Sequence, residues 1–445
     1  MSQGFSYSRS ALCSLAQQVL DYAAKAGASA CEVDVSEGFG QSVAVRRQAV
    51  DTIEYNRDKG LGITVYIGQR RGHASSSDFS LHALQATVDA ALAIARFTAE
   101  DDCAGLPDAK LLAKKSMDLD LFHPWAVSVE QAIDIASRCE QAAFDVSPLI
   151  NNSEGANVSA QQSQFISANS LGFMDGFATT RHYVSCSVIA GEGDDMQRDD
   201  WYVSQRNPAL FGDPEAIGDY AARRALSRLN ARKLSTRKCP VIFEAPLASG
   251  LIGNYVYAVS GGSLYRKTSF LIDSLDKQIF PDFMQISERP HIKGALASSA
   301  FDDDGVATKD REVVKDGRVE GYFLSTYSAR KLGMKTTGNA GGSHNLRIQS
   351  GSHNLGGLLR EMGTGLLVTE LLGQGVNYVT GDYSRGAAGY WVENGVIAYP
   401  VHEITIAGNL KQMFAGIAEI GTDIEVRGSK QVGSILIDRM TIAGN

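Results

Sequence analysis

Two dipeptides restrict the fold of this chain more than any other feature. Asp316-Gly317 in EVVKDGRVEGYF and Asn394-Gly395 in GYWVENGVIAY each lie between β-branched and aromatic runs. A two-residue type I′ turn needs positive φ at both central positions, which Asn, Asp and Gly tolerate best, so each dipeptide predicts an antiparallel hairpin. Glycine is dense through this half of the chain, and ITIAGNL and MTIAGN read as further short strands near its end. A sheet-rich C-terminal unit follows.

The first half has a different rhythm. Leu12, Leu15, Ala16, Val19, Leu20, Ala23 and Ala24 recur at helical spacing over 9–26, and Gly27 is placed to stop the helix. The period then shortens to two in CEVDVS, SVAVR, DTIEY and LGITVY, read as separate strands punctuated by Gly38, Gly40, Gly60 and Gly68. A second helix is predicted over 80–97, and the polar segment 98–118 reads as a surface connection. Ser128 and Gln131 form a capping-box signature for a helix over 128–143. Strands over 150–206 and a long helix over 214–230 complete this part, and LSTRK at 234–238 marks the boundary. The reading is an α+β chain. A helix–antiparallel sheet–helix domain over 1–233, with a sub-boundary near 98–127, precedes a strand-rich, mixed or antiparallel domain over 234–445.

Composition narrows the function classes. A net charge of −8 with no dense Lys/Arg run argues against nucleic acid as a direct partner. The six cysteines include no CxxC pair and all precede residue 240, which gives neither a disulfide framework nor a thiolate zinc site. Scattered thiols, no signal-like apolar stretch at the start and no run long enough to span a bilayer predict a cytoplasmic protein with no membrane association.

Familiar catalytic motifs are incomplete. None of the eight histidines are spaced i, i+4; His344 and His353 sit in an echoed GSHN and read as surface imidazoles on a loop repeat. FDDDG departs from the calcium loop, with Ala300 and Arg311 where ligands should be. MGTGLLV lacks the third glycine of a dinucleotide fingerprint, and no G-x-S-x-G elbow occurs. The most suggestive stretch is VIFEAPLASGLIGN at 241–254, an apolar strand ending in Glu244 and feeding a proline-started helix.

The runs SGGSLYRKTSFLIDSL, FDDDGVATKDREVVKDGRVEGYFLSTYSARKLG, TTGNAGG, EMGTGLLVTELLGQGV, TGDYSRGAAGYWVENG and ITIAGNL, in this order, resemble the TldD/PmbA family, on its PmbA-like (TldE) side. The resemblance implies a cytoplasmic two-subunit protease. Its TldD-like subunit carries an HExxxH helix and a C-terminal cysteine that bind zinc, and its PmbA-like subunit helps enclose a shared chamber. Unfolded or small peptides are the implied substrates, as in peptide-antibiotic maturation and antitoxin turnover. The family's older label, modulator of DNA gyrase, gains no support from the acidic charge.

Set against the HExxxH pattern, Glu244 stands at the first histidine, Ala245 at the glutamate and Ser249 at the second histidine. With Pro246 at the first helical position, Glu244 falls before the helix. The resemblance therefore implies no catalytic residue and no metal in this chain, with zinc only in a TldD-like partner. Heterodimerisation with that partner, homodimerisation when alone, and binding of an extended peptide are its expected partnerships. Arg266, Lys267, Arg330, His344, Asp382 and Arg385 are candidates for substrate or partner contacts, each with the alternative of fixing its own loop. The rival expectations are a self-sufficient homodimeric hydrolase and a non-enzymatic regulatory binding protein.

Overall fold

Helix α1 (Arg9–Lys25) starts where the Ser8 side chain accepts from the backbone of Ala11, and buries Leu12, Ala16, Val19, Leu20 and Ala23. The computed structural model containing it describes residues 4–444; Met1–Gln3 at the chain's start and Asn445 of MTIAGN lie outside the described residues. Strands β1 (Ala30–Arg46) and β2 (Ala49–Ile67) follow and pair antiparallel along their whole length. The four strands expected here are thus two long ones, and Gly38, Gly40 and Gly60 lie inside the ladder. Gly40 marks a close approach: a Cβ there would meet the Ala160 carbonyl oxygen at 2.5 Å. Gly68, with φ 59°, does make a turn.

The sheet adds β3 (Arg70–Ser76), β4 (Ile150–Asn169), β5 (Met174–Asp175), β6 (Ala178–Ala190) and β7 (Gln197–Gln205). Its order is β3-β2-β1-β4-β6-β7, with β5 attached to β4. Helix α1 and α2 (Leu81–Phe97) pack around Val33, Val35, Leu61 and Ile63. Helices α3 (Val129–Asp145) and α4 (Pro214–Ser227) pack around Val43, Val45, Val158 and Val184. Residues 33, 35, 43 and 45 share a parity, so both helix pairs cover one face of the sheet, at its two ends. The capping box at Ser128 and Gln131 is present. Against the opposite face, Phe165 and Phe177 meet Phe301 from the C-terminal half.

That half begins with β8 (Arg237–Phe243) and α5 (Ala245–Ala258). Strand β8 lies between 365–372, parallel, and 435–443, antiparallel. The sheet continues through 396–409 and 382–393, and the latter pairs back onto 365–372, closing these strands into a ring. ITIAGNL therefore ends a strand of 14 residues rather than forming a short one. Both predicted turns have positive φ at both central residues: Asp316 48° and Gly317 72°, Asn394 51° and Gly395 77°. The architecture is α+β with a mixed C-terminal sheet.

Candidate functional site

Val241, Ile242 and Phe243 are fully buried in the ring, and the Glu244 N–H donates to the Val368 carbonyl at 3.1 Å, placing the acid at the strand's end. Helix α5 begins at Ala245, so Pro246 is its second residue rather than its first. The missing N–H is equally harmless there, because the first turn's donors have no intrahelical partner. Leu251 and Tyr255 form the buried stripe expected of this helix, with Leu247 partly buried beside the core. Tyr255 packs edge-on against Phe280.

Glu244 makes no side-chain cap. Its carboxylate turns instead to Arg224 of α4, whose Nη1 donates to Oε1 at 2.8 Å and Nη2 to Oε2 at 3.2 Å. The Nε of Arg224 donates to Asp199 Oδ1 at 3.1 Å, and Arg228 donates to the second Asp199 oxygen at 3.3 Å and to Glu370. Two guanidinium groups share one indole: Trp201 lies 5.3 Å from Arg224 and 3.9 Å from Arg427. Glu244 is only 8 % exposed. Burial pushes its carboxyl pKa up, and the charge of Arg224 opposes that rise. Desolvation pulls the Arg224 guanidinium down, but Glu244 and Asp199 outweigh it and hold the group charged.

The other two aligned positions carry no chemistry. The Ser249 hydroxyl donates to the Pro246 carbonyl at 3.0 Å, inside its own helix. Ala245 offers only its N–H, donated to Ser434 Oγ at 3.0 Å.

The remaining candidates fall into separate settings. Arg330 donates to the carbonyls of Cys103, Gly105 and Leu106 at 3.2, 2.9 and 2.6 Å, pinning the 98–118 connection to the C-terminal half. The His344 ring bonds the Gly338 carbonyl and the His344 backbone N–H donates to Glu288, whereas His353 faces Glu419. Asp382 accepts from Thr380 in its own turn and from Asn409 on the adjacent strand. Arg266 lies over the Tyr265 ring, and Lys267 is exposed with φ 57°. Arg385 differs from these: its buried Nε finds no acceptor among the described residues. No three His, Cys, Asp or Glu side chains gather as metal ligands among the described residues.

The Arg224 network escaped sequence reasoning. Its signal was an apolar stripe in α4, Ile217, Ala221 and Ala225, that also carries Arg224 and Arg228. Arginines on a buried stripe require acids from elsewhere, and no spacing identifies Asp199, Glu244 and Glu370 as those acids.

Comparison with known proteins gives matches to three family profiles. They are PmbA/TldA metallopeptidase domain 1 over 31–95, its central domain over 122–229 and its C-terminal domain over 236–444. The chain is 52% identical to Metalloprotease PmbA of Escherichia coli O157:H7, covering 93% of this chain and 92% of that protein. It is 48% identical to the Metalloprotease PmbA homolog of Haemophilus influenzae, covering 96% and 94%. A crystal structure described as a putative modulator of DNA gyrase from Bacteroides thetaiotaomicron superposes with TM-score 0.92 at 27% identity, covering 97% and 98%.

Proposed function

The chain belongs to the PmbA/TldD metallopeptidase family, in its PmbA branch, and from that premise we propose that it is a zinc-free partner subunit of a two-subunit peptidase. The observation that carries this reading is the Arg224 guanidinium seated on both oxygens of Glu244. A catalytic zinc takes three protein ligands and leaves a position open for water. Here the one anionic donor at the aligned positions is neutralised by a cation, the second position is a serine bonded to its own helix, and the general base is an alanine. This donor set does not fit zinc.

The chain's contribution is therefore surface and shape. A TldD-like subunit supplies the activated water, and this subunit completes the chamber that orients an extended peptide across both. Arg385, with an unanswered donor, is the strongest of the contact candidates. The six cysteines are all free thiols, in keeping with a cytoplasmic setting, and no described helix is long and apolar enough to cross a membrane.

Reconstitution tests the reading. An unstructured peptide should survive incubation with this chain alone and be cleaved once a TldD-like subunit is added. Cleavage by the isolated chain, abolished by Glu244→Gln, would replace the partner-subunit reading with a self-sufficient hydrolase.

A further inference from the structure

One face of helix α5 is open. Pro246, Gly250, Gly253 and Tyr257 recur at i, i+4, i+7 and i+11, away from the buried Leu251 and Tyr255, and each is exposed or half-buried. A Cβ at Gly250 would meet nothing within 4 Å. At Gly253 it would meet Lys430, whose Nζ lies 3.9 Å from that position. Lys430 comes from the short strand Lys430–Gln431, and Gly253 follows Ser249 by one helical turn. The half-buried ammonium has no partner. Among the described residues no carboxylate, carbonyl or hydroxyl accepts from Lys430. Burial alone moves its pKa, downward, and no acid opposes the shift. Glu244, the carboxylate at the start of the same helix, is held by Arg224. Nor is the ammonium sealed away, as the Arg385 Nε is.

A second cation stands on the other flank of the helix. The Tyr378 ring lies 4.1 Å from that of Tyr257, and its hydroxyl donates to Asn254 Oδ1 at 2.8 Å. Burial raises the pKa of that hydroxyl, and the nearby charge of Arg385 opposes the rise. A cation drawn out of water ordinarily sits beside an anion. Here two of them border one open helix face, and neither has one. We propose that Lys430 and the open face of α5 form a subsite for a carboxylate carried by a peptide. One ammonium matches one negative charge, whereas a phosphate dianion would stay half-neutralised in a protein of net charge −8. The bare backbone at Gly250 and Gly253 lets the ligand's own main chain approach the helix. The carboxylate completes the charge pair that Lys430 lacks, in a partly desolvated setting where such a bond is strong. The proposal rests on the partner-subunit reading only in naming a peptide as the carrier.

Fluorescence anisotropy of an N-terminally labelled tetraalanine, titrated with the purified full chain, is the test. Wild type should bind the peptide with a free terminal carboxylate about tenfold or more tightly than the same peptide amidated. Lys430→Gln should erase that difference, and Lys430→Arg, which keeps the charge, should retain most of it. An amidated peptide with one glutamate separates the two sources of carboxylate. Binding like the free acid admits an acidic side chain to the subsite; binding like the amide reserves it for the chain terminus. Trace acetylation of native protein, read by mass spectrometry, gives a second measure. Saturating free-acid peptide should raise the pH at which Lys430 becomes reactive, because a bound anion favours the ammonium, and the amide should not. Equal affinity of wild type for acid and amide would overturn the proposal, as would no binding of either at millimolar concentration. So would a Lys430→Gln chain, folded by circular dichroism, that keeps the full preference. The wild-type comparison needs no variant, so it decides even where a substitution impairs folding. No TldD-like subunit and no cleavage enter these measurements. Their failure leaves the partner-subunit reading standing, and cleavage by the isolated chain would remove that reading without changing these affinities.

Discussion

Glu244, which the sequence sets against the first histidine of HExxxH, is in the structure an ion-pair partner of Arg224. Removing one member of a buried pair leaves the other charged and unsatisfied, at a cost of about 3 kcal/mol or more. Glu244→Ala should therefore lower the thermal midpoint clearly, while Glu244→Leu with Arg224→Met, which removes both charges, should recover much of the loss. Equal midpoints for Glu244→Ala and wild type would show that the pair carries no stability. The sequence alone leads one to expect Glu244→Ala to be silent in a mixed complex; the structure restricts that expectation to the molecules that remain folded. A second residue reports on pH. Glu32 accepts from Tyr66 Oη at 3.1 Å, and burial, reinforced by Asp304, pushes its carboxyl up to about 7. Its folded pKa lies above its unfolded value, so the native state holds the extra proton between roughly pH 4.5 and 7. The associated stability is present below that window and lost as pH rises through it, on the order of 3 kcal/mol. Denaturant titrations across this range should show the fall in wild type and a flatter profile in Glu32→Gln; parallel profiles would contradict the assignment.

At the scale of elements, the 394–395 turn sets the register of the two longest strands of the C-terminal ring. Gly395 has φ 77°, and a Cβ there would meet the Arg360 Cα at 2.8 Å. Gly395→Val should cost about 2 kcal/mol, whereas Asn394→Gly should be nearly neutral; chemical denaturation of both distinguishes a strained turn from a tolerant loop. This turn, its partner at 316–317 and the Ser128 capping box were legible because their chemistry is local: each needs residues within three positions of one another. The long β1–β2 ladder was not. Gly38, Gly40 and Gly60 carry the same signature whether they break a strand or admit a neighbouring backbone, and only the position of β4 decides which. The ionic network was hidden for a related reason. Asp199, Arg224, Glu244 and Glu370 are distant in sequence, and their meeting depends on how the N-terminal sheet sits on the C-terminal ring.

At the scale of the whole molecule, the strand–helix junction is used as a clasp. Arg224 and Arg228 reach Glu244 and Glu370 from the N-terminal half, and Arg427 reaches back over Trp201 and Tyr202. Arg330 makes a second attachment at the 98–118 connection. On the proposed reading, the surface built from these two fastened halves presents a peptide, and the zinc chemistry belongs to a partner subunit. Metal content tests that claim most directly. Elemental analysis of the isolated chain after mild chelation should find no stoichiometric zinc, whereas the complex with a TldD-like subunit should retain it. About one zinc per isolated chain, held through chelation and lost in Glu244→Gln, would contradict the account.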